Sequence, residues 1–225
     1  MNILTWNSQG YKPDQIINIL GSGVYDIICI QEATQVLGSF NEIVFGTNYP
    51  IVYQQRVSTH PRSTNHLQEY YAIHYEWGSQ NTRCSLVTYV KKYLCFQSSV
   101  YIPPMTRNIR GGLITKINTG HGLVNVCNIH LYSGNPDFAW QQFQEILVYM
   151  QGANPFIIIG DFNIDSRTIG SRTIAVHYFY SVGSSTQMSG GCLDYAYSEY
   201  FRPSQMGKLY EPGIYSDHSP VYYIF

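Results

Sequence analysis

Phe156-Ile157-Ile158-Ile159-Gly160-Asp161-Phe162-Asn163 is an apolar run that ends on a glycine, a carboxylate and an amide. A hydrophobic run of this length packs as a buried strand. Four further runs finish the same way: Ile3-Leu4-Thr5-Trp6-Asn7, Ile27-Ile28-Cys29-Ile30-Gln31-Glu32, Val124-Asn125-Val126-Cys127-Asn128-Ile129-His130 and Cys192-Leu193-Asp194-Tyr195. A sixth polar group, Ser216-Asp217-His218, precedes the last apolar run. Polar residues at the ends of buried strands gather at one rim of a sheet, and that rim is where an active site is expected.

The elements around these runs alternate strand and helix. Pro13-Asp14-Gln15 opens a helix with Ile16, Ile17, Ile19 and Leu20 on one face, ended by Gly21-Ser22-Gly23. Asp137 to Met150 carries Phe138, Trp140, Phe143, Ile146, Leu147 and Met150 at helical spacing. Strands are predicted at Tyr70 to Trp77 and Ser85 to Val90, joined through Gly78-Ser79-Gln80-Asn81, and at Leu113 to Ile117 and Leu123 to His130, joined through Asn118 to Gly122. Three more fall near Ala175 to Tyr180, Leu193 to Tyr197 and Val221 to Phe225, and Arg56 to Gln68 reads as a loop. No repeat or linker divides the chain, so residues 1–225 are expected to form one α+β domain of sheets stacked face to face with helices outside.

Composition narrows the function. The net charge of -1 excludes a protein that holds nucleic acid by bulk attraction, so any phosphate contact must be local. No apolar stretch reaches the roughly 18 to 20 residues that span a bilayer, and no stable membrane insertion is expected. No apolar leader precedes the first strand, which fits either a cytosolic protein or a mature chain whose leader Met1 replaces. Cys29, Cys84, Cys95, Cys127 and Cys192 lack the close paired spacing of a zinc site, and Cys29 and Cys127 read as small hydrophobes within strands.

Glu32 follows a fully apolar strand, so its carboxylate needs a cation. An arginine would serve, as would a hard divalent ion such as Mg²⁺, with Mn²⁺ or Ca²⁺ as alternatives. Asp161, Asn163 and Asp217 repeat the pattern of oxygen donors beyond apolar strands and favour the metal. A histidine at a strand end is more often structural than catalytic, but Asp194 offers His130 or His218 an acidic partner that fixes a tautomer and raises basicity. His60, His66, His74, His121 and His177 are expected to be solvated or packed. Arg110, before Gly111-Gly112, can present a planar fork to a phosphate while the glycines allow close backbone approach. Arg83 is a second candidate, and for both arginines the alternative is a plain surface charge. Phosphodiester hydrolysis needs an attacking water, a proton acceptor, charge neutralisation and help for the leaving oxygen, and these residue types supply all four.

At these positions the chain resembles the endonuclease/exonuclease/phosphatase superfamily, which contains deoxyribonuclease I. Thr5-Trp6-Asn7, Gln31-Glu32, Gly160-Asp161-Phe162-Asn163, Leu193-Asp194-Tyr195 and Ser216-Asp217-His218 occur in the order that superfamily uses. Gln31-Glu32-Ala33, Asn108-Ile109-Arg110-Gly111-Gly112, Ile129-His130 and Gly190 to Ala196 are similar to the catalytic subunit of cytolethal distending toxins, typhoid-toxin type included. Ala33-Thr34-Gln35 departs from the abasic-site repair enzymes. Deoxyribonuclease I pairs its first catalytic histidine with a glutamate that the segment around Arg83-Cys84 lacks, leaving Glu69 and Glu76 as substitutes.

The resemblance implies a four-layer α/β/β/α sandwich and a Mg²⁺-dependent endodeoxyribonuclease. Glu32 would hold the metal with Asn7 and Asp217 nearby, and Asp161 and Asn163 would position water and phosphate. His218, oriented by Asp194, would be the general base, His130 would serve the leaving oxygen or the phosphorane, and Arg110 and Arg83 would grip phosphates. It also implies DNA as substrate, delivery subunits as partners, and secretion followed by action in a host nucleus. Five lysines against eight arginines suit such a toxin, as they suit compositional drift. A phosphoinositide phosphatase is the alternative enzyme, and a scaffold that retains the fold without the chemistry is the alternative from another class.

Overall fold

The computed structural model describes residues 1–10, 12–34, 36, 40–43, 51–55, 69–76, 85–102, 110–210 and 216–225. Among these, fourteen strands form two sheets. The first runs, in spatial order, Gln205–Lys208 (β13), Val221–Ile224 (β14), Asn2–Asn7 (β1), Ile27–Gln31 (β2), Ser85–Lys91 (β6), Tyr70–Glu76 (β5), Ile51–Gln55 (β4) and Phe40–Ile43 (β3). The second runs Phe179–Tyr180 (β11), Asp194–Tyr197 (β12), Phe156–Asp161 (β10), Leu123–His130 (β9), Gly112–Asn118 (β8) and Phe96–Ile102 (β7).

Each sheet has one parallel pair at its centre, made by a strand, a helix and a strand. β1 and β2 are joined through Pro13–Gly21 (α1), and β9 and β10 through Pro136–Gln151 (α2). A crossover helix must lie on a face of its sheet, which is why each sheet carries one. α1 starts with Pro13 at its first position and packs Ile16, Ile19 and Leu20 against Leu4, Trp6, Ile28 and Ile30. α2 is capped by the Asn135 side chain, which accepts from the Asp137 and Phe138 N–H groups, and packs Phe143, Ile146 and Met150 against Ile129 and Ile158. Between the sheets Ile3, Ile27 and Cys29 meet Val126, Ile157 and Ile159. The result is a four-layer α/β/β/α sandwich of mixed sheets.

Strand alternation then fixes what lies at the rim. Ile3, Cys29, Val126, Ile159 and Ala196 all face the space between the sheets. Steps of two from these residues lead to Thr5 and Asn7, Gln31, Asn128 and His130, Asp161, and Asp194, so those side chains share the same face. Below the rim they form a buried polar clamp. Gln31 Nε2 donates to Asn128 Oδ1 at 2.7 Å and to Thr5 Oγ1 at 3.0 Å, while Asn128 Nδ2 donates to the Val87 carbonyl at 3.0 Å.

The strand expected near Ala175 to Tyr180 is a 3-10 turn over Val176–Tyr178 followed by the two-residue β11. It lies at a sheet edge, where only one neighbour directs the backbone. β7 and β13 were missed because both are edge strands rich in polar or small residues. The expected loop at Arg56 to Gln68 and the turn Gly78 to Asn81 lie outside the described residues. No helix is long and apolar enough to cross a membrane.

Candidate active site

Asn7, Gln31, His130 and Asp161 stand at the C-terminal ends of the two parallel pairs. Antiparallel β12 starts at the same rim, with Asp194 paired to Asp161, and Asp161 pairs in turn with His130. Three titratable side chains therefore stand in a row across one sheet. Gly160 makes this row possible: its φ is +147°, and a Cβ there would lie 2.1 Å from the Ile129 carbonyl oxygen.

Glu32 comes from the other sheet. Its φ of +54° breaks strand alternation one residue past β2. Its Oε1 lies 3.8 Å from His130 Nε2, and Asp161 Oδ2 lies 3.5 Å from the same nitrogen. Asn7 Nδ2 donates to Asp161 Oδ2 at 2.9 Å, and Asn7 Oδ1 accepts from the Gln9 N–H. Asn163, also at positive φ, donates its N–H to Asp161 Oδ1 at 2.9 Å and its Nδ2 to the Leu131 carbonyl at 2.9 Å.

His218 arrives just before β14, which runs antiparallel to β1 and so begins at the same rim. Its Nδ1 lies 2.7 Å from Asp194 Oδ2, and both residues are buried. Trp6 Nε1 donates to the His218 carbonyl, and Ser216 Oγ ties the loop by donating to the Asn7 carbonyl and accepting from the His218 N–H. Asp217 accompanies it, with its N–H donating to Gln9 Oε1. His218 Nε2 faces the mouth, 3.9 Å from Asp161 Oδ2 and 3.7 Å from Asp217 Oδ1, separations that a bridging water spans.

The two histidines carry opposite charge preferences. Burial lowers the pKa of His218, but the Asp194, Asp161 and Asp217 carboxylates outweigh it and raise the group to about 9. Burial and the positive charges of Arg110 and His218 hold His130 well below the ordinary histidine value. Arg110 Nη1 sits 2.8 Å from His130 Nε2 and donates to the Leu131 carbonyl at 3.0 Å. His130 Nε2 is thus the acceptor, which places its proton on Nδ1. Nδ1 has no hydrogen-bond partner among the described residues. Glu69 is exposed, and the Arg83-Cys84 segment lies outside the described residues, as does the placement of Arg83.

The donor set fits a divalent cation. Among the described residues Asp194 Oδ1 and Asp217 Oδ1 have no hydrogen-bond partner, and burial with the Asp194 charge pushes Asp161 up to about 6. Clustered carboxylates short of positive charge favour a hard ion. Asp161, Asp194 and His218 offer atoms within 4.8 Å of one another, although the 2.7 Å bond already commits Asp194 to His218. Glu32 Oε1 and Asp161 Oδ2 approach the same His130 nitrogen from the two sheets.

Sequence reading missed Gln142 and Thr186. Gln142 is buried in α2, accepts from the Tyr132 N–H at 2.8 Å and donates to the Arg110 carbonyl at 3.3 Å. An amide on the apolar face between Ala139 and Ile146 was the available signal. Thr186 Oγ1 accepts from the Leu193 and Asp194 N–H groups, and nothing local in the sequence marks it.

Two packed mixed sheets with carboxylates, amides, a His–Asp pair and an arginine at one rim define a metal-dependent hydrolase of phosphate esters. The chain belongs to the Endonuclease/Exonuclease/phosphatase family, whose profile matches residues 4–218. Similar solved structures include CdtB, described as the biologically active subunit of cytolethal distending toxin, at 22% identity and TM-score 0.74 over 100% of this chain and 97% of that one. The Haemophilus ducreyi cytolethal distending toxin gives 18% identity and TM-score 0.73 over 99% and 97%. Caenorhabditis elegans TDP2 gives 14% identity and TM-score 0.61 over 100% and 74%. No curated protein sequence matches the chain significantly.

Proposed function

We propose that this chain is a Mg²⁺-dependent endodeoxyribonuclease and the catalytic subunit of a secreted toxin of the cytolethal distending or typhoid-like type. One observation carries the reading: the buried His218–Asp194 pair, joined at 2.7 Å, aims Nε2 at the gap beside Asp161, across the rim from Glu32. The likeness to CdtB supports the toxin branch, where delivery subunits would carry the chain to a host nucleus.

Glu32 would hold the cation, with Asn7 and Asp217 completing its surroundings. When bound, Mg²⁺ supplies charge neutralisation at the phosphate and leaving oxygen. The carboxylates alone keep His218 charged; with that effect offset by a cation beside them the imidazole would be neutral. Asp194 would then hold the tautomer whose Nε2 can take a proton from water, while Asp161 with Asn163 would position that water and the phosphate. Arg110, drawn to the phosphate, would release His130 Nε2. The imidazole, relieved of that guanidinium's charge and standing 3.8 and 3.5 Å from the Glu32 and Asp161 carboxylates, would take up a proton on Nε2 and donate it to the phosphorane or leaving oxygen. Arg83 is proposed as a second phosphate contact.

The test compares plasmid nicking with phosphate release from a phosphoinositide, both in Mg²⁺. The wild type should nick supercoiled DNA, and His130→Ala and His218→Ala should abolish nicking while remaining folded. Faster phosphate release than nicking would assign the site to phosphoinositides, and wild-type nicking by both variants would remove the assigned roles.

A further inference from the structure

We infer that Tyr132 and Phe138 form a stacking platform for the nucleobase next to the scissile phosphate. The inference rests on the nuclease reading above and extends it from the phosphate to the base. Phe138 stands in the first turn of α2 with 49% of its surface exposed, and its ring meets Tyr132 edge-on at 6.0 Å. The exposure of Phe138 leaves ring surface open to solvent, and an open aromatic face accepts any base without regard to sequence.

Its position sets the partner. The Leu131 carbonyl accepts from Arg110 Nη1 and from Asn163 Nδ2, so the residue after the carbonyl that anchors both side chains carries the first ring. The buried Gln142 side chain accepts from the Tyr132 N–H and donates to the Arg110 carbonyl. One amide therefore ties the backbone of the phosphate arginine to the backbone that carries the ring. Asp137 beside the platform would repel phosphate, but Arg172 Nη1 pairs with it at 2.8 Å and offsets that charge. A phosphate held by Arg110 places the neighbouring base, and not a second phosphate, over the rings.

The experiment uses two oligonucleotides with one cleavage position, one intact and one with the flanking bases replaced by tetrahydrofuran. On the intact strand Phe138→Ala and Tyr132→Ala should each lower kcat/KM about tenfold, mainly through KM, in the range set by base–aromatic stacking. Phe138→Trp should restore it. On the base-free strand all proteins should cleave alike. Equal losses on both strands, or no loss on the intact one, would overturn the platform while leaving the nuclease standing. A wild type that cleaves neither strand would overturn the nuclease reading itself.

Discussion

Replacing Asp194 by Asn keeps the shape of the side chain and removes its charge. The carboxylate is 0% exposed and bonds His218 Nδ1 at 2.7 Å, so no solvent takes its place. The rise of His218 from 6.5 to about 9 amounts to about 3 kcal/mol of preference for the charged form, and Asp194 is the main source of that rise. With an amide opposite Nδ1, burial dominates and the pKa falls. An amide NH₂ facing Nδ1 also moves the imidazole proton to Nε2, the atom that must accept one. Loss of the correct tautomer costs on the order of 10²- to 10⁴-fold in rate, or about 3 to 5 kcal/mol of barrier. Initial rates of plasmid relaxation in Mg²⁺ should show that fall at a temperature where circular dichroism finds the variant fully folded. A rate within threefold of wild type in that folded protein would refute His218 as an oriented base.

Three other outcomes follow from the same geometry. A group raised in the folded state stabilises most below its unfolded value, so the His218 ion pair should contribute fully below pH 6.5 and be lost as pH rises through about 9; urea midpoints in EDTA should fall across that window in the wild type and stay flatter in Asp194→Asn. Mg²⁺ bound beside the carboxylates opposes their effect on the imidazole, so nitrogen NMR should show His218 titrating at lower pH when Mg²⁺ is present. Asn128→Leu removes the 2.7 Å acceptor of one Gln31 Nε2 hydrogen and the donor to the Val87 carbonyl between the sheets, and should destabilise by about 1 to 3 kcal/mol in urea unfolding.

The layers were legible because apolar runs of strand length and two amphipathic helices occur in an order for which sheets stacked face to face, with helices outside, are the economical architecture, and the family resemblance implied four layers. The rim was legible for the same reason: Asn7, His130 and Asp161 sit an even number of residues from core positions, so strand alternation alone brings them together. Glu32 escapes that rule, since only a left-handed backbone turns its carboxylate inward, and its composition alone left arginine and metal as equal partners. The pairing of Arg110 with His130 was illegible because it joins a residue two positions before β8 to the last residue of β9 through side-chain reach. Gln142 left one signal, an amide on the apolar face of α2, whereas Thr186 supports the site by accepting from backbone N–H groups, which leave no pattern in a sequence. Edge strands such as β7 and β13 lack the apolar signature that identified the central ones.

A crystal soaked in Mn²⁺ and measured at the manganese absorption edge tests the central claim directly. The anomalous peak should lie at bonding distance from a Glu32 carboxylate oxygen, within the rim shared with Asp161 and Asp217, and should vanish in Glu32→Gln. A peak held by other residues, or one that persists in Glu32→Gln, would contradict the convergence of these strand ends on a single cation.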